Sequence, residues 1–124
     1  MTVRQDPAPL TRHLRVRDDR GRTVLRFHGE IDLAAADEIA PLLDRATARP
    51  GARVVLDLSG ITFLDASGLR LLTRARNRVL DEGGELHLVC SHPLTLRVLR
   101  ITGLARLLPP RATLDEVMGG PGPA

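Results

Sequence analysis

The chain has 124 residues, 43% of them hydrophobic, and a formal net charge of +3 at pH 7. This length predicts one compact domain with a modest core. No apolar run approaches the roughly 18 residues that a membrane-spanning helix needs, and residues 1–12 contain no apolar signal-peptide core. The sequence therefore predicts no membrane insertion.

The basic residues are all arginines, and they are scattered among acidic residues along the whole chain. A DNA-binding domain clusters its positive charge on one face, so we expect no direct DNA binding. The single cysteine, Cys90, cannot form an intramolecular disulfide and suits a reducing compartment. We therefore expect a cytoplasmic protein with an aliphatic core, since the chain has no Trp or Tyr.

Alternating apolar and polar residues predict two strands, over residues 13–17 and 23–29. The turn-forming residues 18–21 between them predict an antiparallel hairpin. A helix is predicted next over residues 34–47, with an apolar stripe of Ile39, Leu42, Leu43 and Ala46. Pro41 lies inside this helix, and it either bends the helix or indicates that regular turns begin only near Asp37.

Residues 54–58 are a short apolar run that predicts a strand buried on both faces. A loop is predicted over residues 59–66 and a second helix over residues 67–80. The inner face of this helix consists of Gly68, Leu71, Leu72, Ala75 and Val79, and its outer face carries a basic stripe of Arg70, Arg74 and Arg78.

Residues 86–90 predict a further buried strand. A third helix has Pro93 in its first turn and Gly103 beyond its end. Its predicted core residues are Leu94, Val98 and Ile101. We expect a short edge strand over residues 105–109 and a last helical turn over residues 113–118.

Strands that alternate with helices indicate an α/β fold, in which helices pack against a mixed, mainly parallel sheet and the N-terminal hairpin is antiparallel. The domain is expected to cover residues 13–118. Residues 1–12 are expected to be disordered, and residues 119–124 to form a flexible Gly/Pro tail.

The usual catalytic motifs are missing from the sequence. Ser67 is not in a G-x-S-x-G nucleophile elbow, because Asp65 and Leu69 replace its glycines. The four histidines form no H-E-x-x-H motif, and neither of the glycine-rich phosphate-binding loops occurs. Cys90 closes a predicted buried strand and is interpreted as an inert core thiol. We expect no enzyme activity, no catalytic residue, no metal site and no cofactor.

Two loops of unusual composition follow predicted neighbouring strands, at residues 29–32 and 62–69. Function concentrates at such strand-to-helix junctions in open α/β sheets. Ser67 is placed at or near the start of the second helix, with Asp65 just before it. Either both residues cap the helix, or Ser67 presents its hydroxyl at a position where an added phosphate would change the surface charge.

Residues 29–32 (GEID), 55–60 (VLDLSG) and 63–69 (FLDASGL) resemble the signature blocks of STAS-domain anti-sigma-factor antagonists. The later Gly83, Gly84, Cys90, Pro93 and residues 102–104 fall in the same order and spacing as in that family. The resemblance covers about residues 13–118. It implies the STAS fold and a role in transcription regulation through protein–protein interaction.

The resemblance also implies partner switching. The antagonist binds an anti-sigma factor, usually a GHKL-type serine kinase, and the sigma factor is released. The kinase can phosphorylate the antagonist, and a PP2C-type phosphatase can restore it. The residues that the resemblance places at the partner-binding surface are Gly29, Asp32, Asp65, Ala66, Ser67, Gly68, Leu69 and Arg70.

The sequence departs from the family at the phosphoacceptor. The residue after Asp65, where phosphorylated members have Ser or Thr, is Ala66, and the hydroxyl comes one residue later at Ser67. Either Ser67 is the phosphoacceptor, or the protein is always competent to bind. Leu69 falls off the core stripe of its helix and is predicted to be an exposed contact.

A second interpretation keeps the same fold but changes the partner. The chain is then the STAS subunit of an ABC-type transporter or of a sensory assembly, and it docks onto an ATPase through the same face.

Overall fold

A computed structural model describes residues 12–119. Apart from Arg12 and Gly119, the two terminal segments predicted to be disordered lie outside the described residues. The strands are β1 (Leu14–Asp19), β2 (Arg22–Ile31), β3 (Arg53–Leu64), β4 (Glu85–Val89) and β5 (Pro110–Arg111). The helices are α1 (Leu33–Thr47), α2 (Ala66–Asp81), α3 (Pro93–Ile101), α4 (Leu104–Leu107) and α5 (Leu114–Met118).

These strands form one sheet in the order β1-β2-β3-β4-β5. Strands β1 and β2 are antiparallel, and the other neighbouring pairs are parallel. The predicted mixed α/β sheet is therefore confirmed. The hairpin turn consists of Arg20 and Gly21, which both have positive φ angles, of 53° and 81°. A two-residue turn of this kind matches the right-handed twist of the strands on either side.

Alternation along β2 directs successive side chains to opposite faces of the sheet. Leu25 and Phe27 belong to the large core, which is completed by residues of α1, α2, α3 and α4. Val24 belongs to a smaller cluster on the other face, with Val55, Val89 and the α5 residues Val117 and Met118. The run at residues 54–58 is buried on both faces, as its composition predicted.

The predicted loop over residues 59–66 is wrong for most of its length, because β3 continues to Leu64. Two register shifts, between Arg26 and His28 and between Gly29 and Glu30, keep β2 paired with this extension. Such bulges hide the strict alternation by which a strand is recognised. The extension places the ends of β2 and β3 side by side, with Ile31 opposite Leu64.

Helix α1 begins at Leu33 and runs through Pro41, so the alternative start near Asp37 is wrong. The predicted inner face of α2 is confirmed, since all five of its residues are buried. Two arginines of the basic stripe on α2 bind to α1. The Arg74 side chain donates two hydrogen bonds of 2.7 Å to Asp44 of α1, and Arg78 donates to the Asp44 carbonyl at 3.2 Å.

The contact between α1 and α2 changes the pKa of the Asp44 carboxylate. The hydrogen bond from Arg74 lowers the pKa of Asp44 below its ordinary value, although partial burial opposes the shift. A depressed folded-state pKa stabilises the fold above the pKa of the unfolded chain. That stabilisation is lost as the pH falls through the folded-state value.

Helix α3 turns a different face to the core than predicted. Thr95 and Leu99 are buried, whereas Leu94 and Ile101 are 68% and 75% exposed. In so short a segment, two different sets of residues recur with the period of a helix. The set that is buried contains the polar Thr95, so it does not look like an apolar face in the sequence. The predicted edge strand over residues 105–109 is also wrong. Gly103, at φ 84°, redirects the chain into α4, and the short β5 comes only afterwards.

Candidate functional site

Two aspartates follow the ends of the neighbouring strands β2 and β3. Asp32 is the N-cap of α1, and Asp65 is the N-cap of α2. The backbone N–H of Asp65 donates to the carbonyl of Ile31 at 3.2 Å, which joins the two strand ends directly. The parallel pairing of β2 and β3 therefore brings both predicted loops to one edge of the sheet, as expected.

The two caps have nearly the same backbone geometry, with φ/ψ of −103°/−169° at Asp32 and −99°/−169° at Asp65. Asp32 accepts from the N–H of Ala35 at 3.0 Å. Asp65 accepts from the N–H groups of Ser67 and Gly68 at 2.8 and 3.2 Å. Each carboxylate satisfies helix N–H groups that have no partner within the helix.

Ser67 lies near the N-cap of α2, as predicted, but the capping role that was considered for it is wrong. Asp65 occupies the cap, and Ser67 lies within the first turn of α2. Its hydroxyl accepts a hydrogen bond of 3.3 Å from the side chain of Arg70. The Ser67 hydroxyl is therefore held beside a guanidinium and is not used to cap the helix.

Gly68 permits the start of α2 to lie close to the end of the sheet. A Cβ atom at this position would be 2.3 Å from Cδ1 of Leu64 and 3.2 Å from Cγ2 of Ile31. Real Cβ atoms do not approach other atoms as closely as the first of these distances. The Leu64 side chain would have to move to admit any larger residue, so glycine allows the close contact between α2 and the strand ends, where it is buried.

Ala66 and Ser67 point into different grooves. Ala66 is exposed and lines the groove on the α3 side of α2, with Leu69, Thr73 and Thr102. Ser67 is half-buried and lines the groove between α1 and α2, with Leu33 and Arg70. Consecutive helical residues differ by about 100° in direction, so the two positions do not present a side chain to the same place.

The remaining predicted site residues take separate positions. Arg70 is exposed next to Ser67, and Asp32 is exposed at the neighbouring strand end. Gly29 lies inside β2 opposite Ile61, at a bulge with φ 76°, and not in the loop. Leu69 is half-buried and packs against the large core, so the prediction that it is an exposed contact is wrong. It lies on the flank of the core stripe, where partial burial is normal for an amphipathic helix.

The exposed apolar residues near this edge were not predicted. Phe63 is 52% exposed and lies two residues before Asp65. With Leu94 and Ile101 of α3, it lines a cleft of about 410 Å³. Leu33, directly after Asp32, is 60% exposed. The sequence carried one signal for this patch, since Phe63 is one of only two phenylalanines in a chain without Trp or Tyr, and it is the first residue of the block at 63–69.

Cys90 is buried, and burial raises the pKa of its thiol, so it is poorly suited to act as a nucleophile. Among residues 12–119, no three His, Cys, Asp or Glu side chains are grouped so that they could hold a metal ion. Within the same residues, no helix has the length and apolar character needed to cross a membrane.

Comparisons with known proteins agree with this geometry. The family model described as STAS domain matches residues 13–117. An anti-sigma F factor antagonist from Paenibacillus polymyxa is 30% identical over 91 residues, which are 73% of this chain and 78% of the relative. The anti-sigma-F factor antagonist RsfB from Mycobacterium tuberculosis is 28% identical over 113 residues, which are 91% of this chain and 92% of the relative.

A crystal structure of an anti-sigma factor antagonist from Mycobacterium paratuberculosis has the same fold. It superposes with a TM-score of 0.76 at 31% identity, over 85% of this chain and 89% of that chain. The resemblance inferred from the ordered sequence blocks is confirmed by these matches. The chain therefore belongs to the STAS domain family.

Proposed function

We propose that the chain is an anti-sigma factor antagonist, which binds an anti-sigma factor and thereby releases a sigma factor. The main observation is the composition of the β2–β3 edge. Exposed Leu33 directly follows the Asp32 cap, and exposed Phe63 lies two residues before the Asp65 cap. Exposed Leu94 and Ile101 line one cleft with Phe63. An apolar surface around a few fixed polar groups is suited to contact with another protein. The relatives named above support the choice of partner.

The proposed contact surface, which we call the switch edge, consists of Asp32, Phe63, Asp65, Ala66 and Ser67. Gly68 is buried below it and sets the closeness of α2 to the sheet. Arg70 is placed at its rim. In this proposal Gly29 shapes β2, and Leu69 supports α2 from the core side.

The partner that we propose is an anti-sigma factor of the GHKL-type serine kinase class. A PP2C-type phosphatase would act on this chain only if the chain were phosphorylated. A phosphate on this edge would add about −1.5 to −2 charges beside Asp65 and Asp32. Repulsion within a desolvated contact would then oppose docking. In this chain the exposed position carries Ala66, and Ser67 faces the groove toward α1. We propose that phosphorylation does not control this protein.

We also propose that the chain acts in the cytoplasm and has no hydrolase or transferase activity of its own. Its role is to present the switch edge to a partner. The buried Cys90, with its raised pKa, offers no alternative nucleophile.

A pull-down from the native organism tests the choice of partner. Wild-type protein should capture a kinase-like anti-sigma factor, identified by mass spectrometry. The Asp65→Asn variant should capture less of it, because the charge at the centre of the switch edge is removed while asparagine can still cap α2. Asp115→Asn, at an exposed position on α5, loses the same charge elsewhere and should retain the partner. Capture of a transporter ATPase by wild type would instead establish the transporter-subunit interpretation.

A further inference from the structure

A polar cavity lies on β1 and β2, on the face of the sheet that carries α5. Arg15, Arg17, Arg26 and His28 line it, and Val24 forms part of its wall. Its volume is about 300 Å³, which is at the lower end of the range for small-molecule sites. The switch edge does not include any of these residues.

The arginines in this cavity repel one another. Arg15 and Arg26 are directly opposite each other across the β1–β2 ladder, and like charges in such pairs are destabilising. Neither of the two has an acidic partner among residues 12–119. Arg17 makes one long contact, of 3.8 Å, to Asp19. Among the described residues, this cluster of positive charge therefore has only one acidic side chain within ion-pair distance.

His28 adds a buried polar atom to the same cavity. Its ring lies over Gly60, where a Cβ atom would be only 2.9 Å from Nδ1. Its Nε2 atom is shielded from solvent and has no hydrogen-bond partner among the described residues. Burial, followed by the charges of Arg26 and Arg15, lowers the pKa of His28, although Asp57 opposes the shift. The neutral ring of His28 therefore lies beside the guanidinium groups of the cavity, and its Nε2 atom has no hydrogen-bond partner among the described residues.

We infer that this cavity binds a phosphate group, either as free phosphate or as part of a small phosphomonoester. Guanidinium groups form planar, bidentate, charge-assisted hydrogen bonds with phosphate oxygens. A bound dianion would offset the repulsion between Arg15 and Arg26. It would also bring an acceptor oxygen or a hydroxyl to the region of His28 Nε2. The cavity size is consistent with one phosphate and a small organic group.

The site is tested by NMR titration of the full chain with inorganic phosphate and, separately, with glycerol 3-phosphate. Saturable shifts are expected at the amides of Arg15, Arg26 and His28. Tighter binding of glycerol 3-phosphate than of phosphate would indicate a phosphomonoester ligand, and the reverse order would indicate free phosphate. Absence of saturable shifts with both probes would overturn the inference.

The variant Arg15→Gln/Arg26→Gln should weaken binding about tenfold or more, because two charge-assisted contacts are removed. Arg97→Gln/Arg100→Gln on α3 loses the same two charges at exposed positions and should bind like the wild type. Equal weakening in both would show diffuse attraction only and would contradict a built site. If the first variant fails to fold, Arg15→Lys/Arg26→Lys keeps the charge but removes the bidentate geometry, and it should still bind more weakly than wild type.

Discussion

Wild-type protein incubated with the proposed partner kinase and ATP should gain phosphate about 100-fold more slowly than the Ala66→Ser variant, or not at all. A kinase must align the acceptor oxygen with the γ-phosphate, and a misplacement of about 1 Å can cost about 100-fold in rate. Ala66 faces the groove on the α3 side of α2. Ser67 faces the groove toward α1 and accepts a hydrogen bond from Arg70. The two side chains therefore cannot present a hydroxyl to a kinase in the same position.

Intact-mass spectrometry over a time course measures this difference. Ala66→Ser should gain one phosphate, provided that the partner has an active kinase site, and Ala66→Ser/Ser67→Ala should gain it equally well. The second variant separates the two positions, since it keeps the hydroxyl introduced at position 66 and removes the one at position 67. Rapid, stoichiometric phosphorylation of wild type that is abolished by Ser67→Ala would show that the switch has moved to Ser67.

Leu72→Ala should lower the free energy of unfolding by about 2–5 kcal/mol, the range for truncating a fully buried leucine. Leu72 is 0% exposed and belongs to the large core between α2 and the sheet. Leu69→Ala should cost less, because Leu69 is only half-buried at the edge of the same core. Leu80, near the end of α2, is 48% exposed, and its truncation should change stability by no more than about 0.5 kcal/mol.

Urea unfolding followed by circular dichroism gives the order of the three variants on one helix. All three remove the same atoms, so the ranking reports burial alone. A Leu69→Ala loss as large as that of Leu72→Ala would place both residues equally deep in the core, contrary to their positions on α2.

Much of the fold could be predicted because its signals are local. The hairpin turn, the inner face of α2 and the doubly buried run at 54–58 each follow from residue pattern over a few positions. The errors fall where a local pattern has two solutions or is interrupted. Helix α3 has two possible apolar stripes, and only burial in the folded chain selects the one that contains Thr95 and Leu99.

The site was predicted better in position than in detail. The motif placed Asp32 and Asp65 at neighbouring strand ends, where the β2–β3 register does bring them together. The sequence could not show that Asp65 alone caps α2, since Asp and Ser both favour the N-cap. Phe63 was missed because two bulges disguised the end of β3, and its exposure depends on how α3 lies beside that strand.

Displacement of sigma factor from a preformed complex with its anti-sigma factor is the most direct measurement of the proposed function. Wild-type protein should release labelled sigma factor in a fluorescence anisotropy assay without ATP hydrolysis. Phe63→Ala should raise the half-effective concentration about fivefold or more, since truncating an interface aromatic costs about 1 kcal/mol or more. Leu80→Ala, equally exposed but at the opposite end of α2, should behave like wild type. Binding of the anti-sigma factor with no release of sigma factor, or equal effects of the two variants, would contradict partner switching at the switch edge.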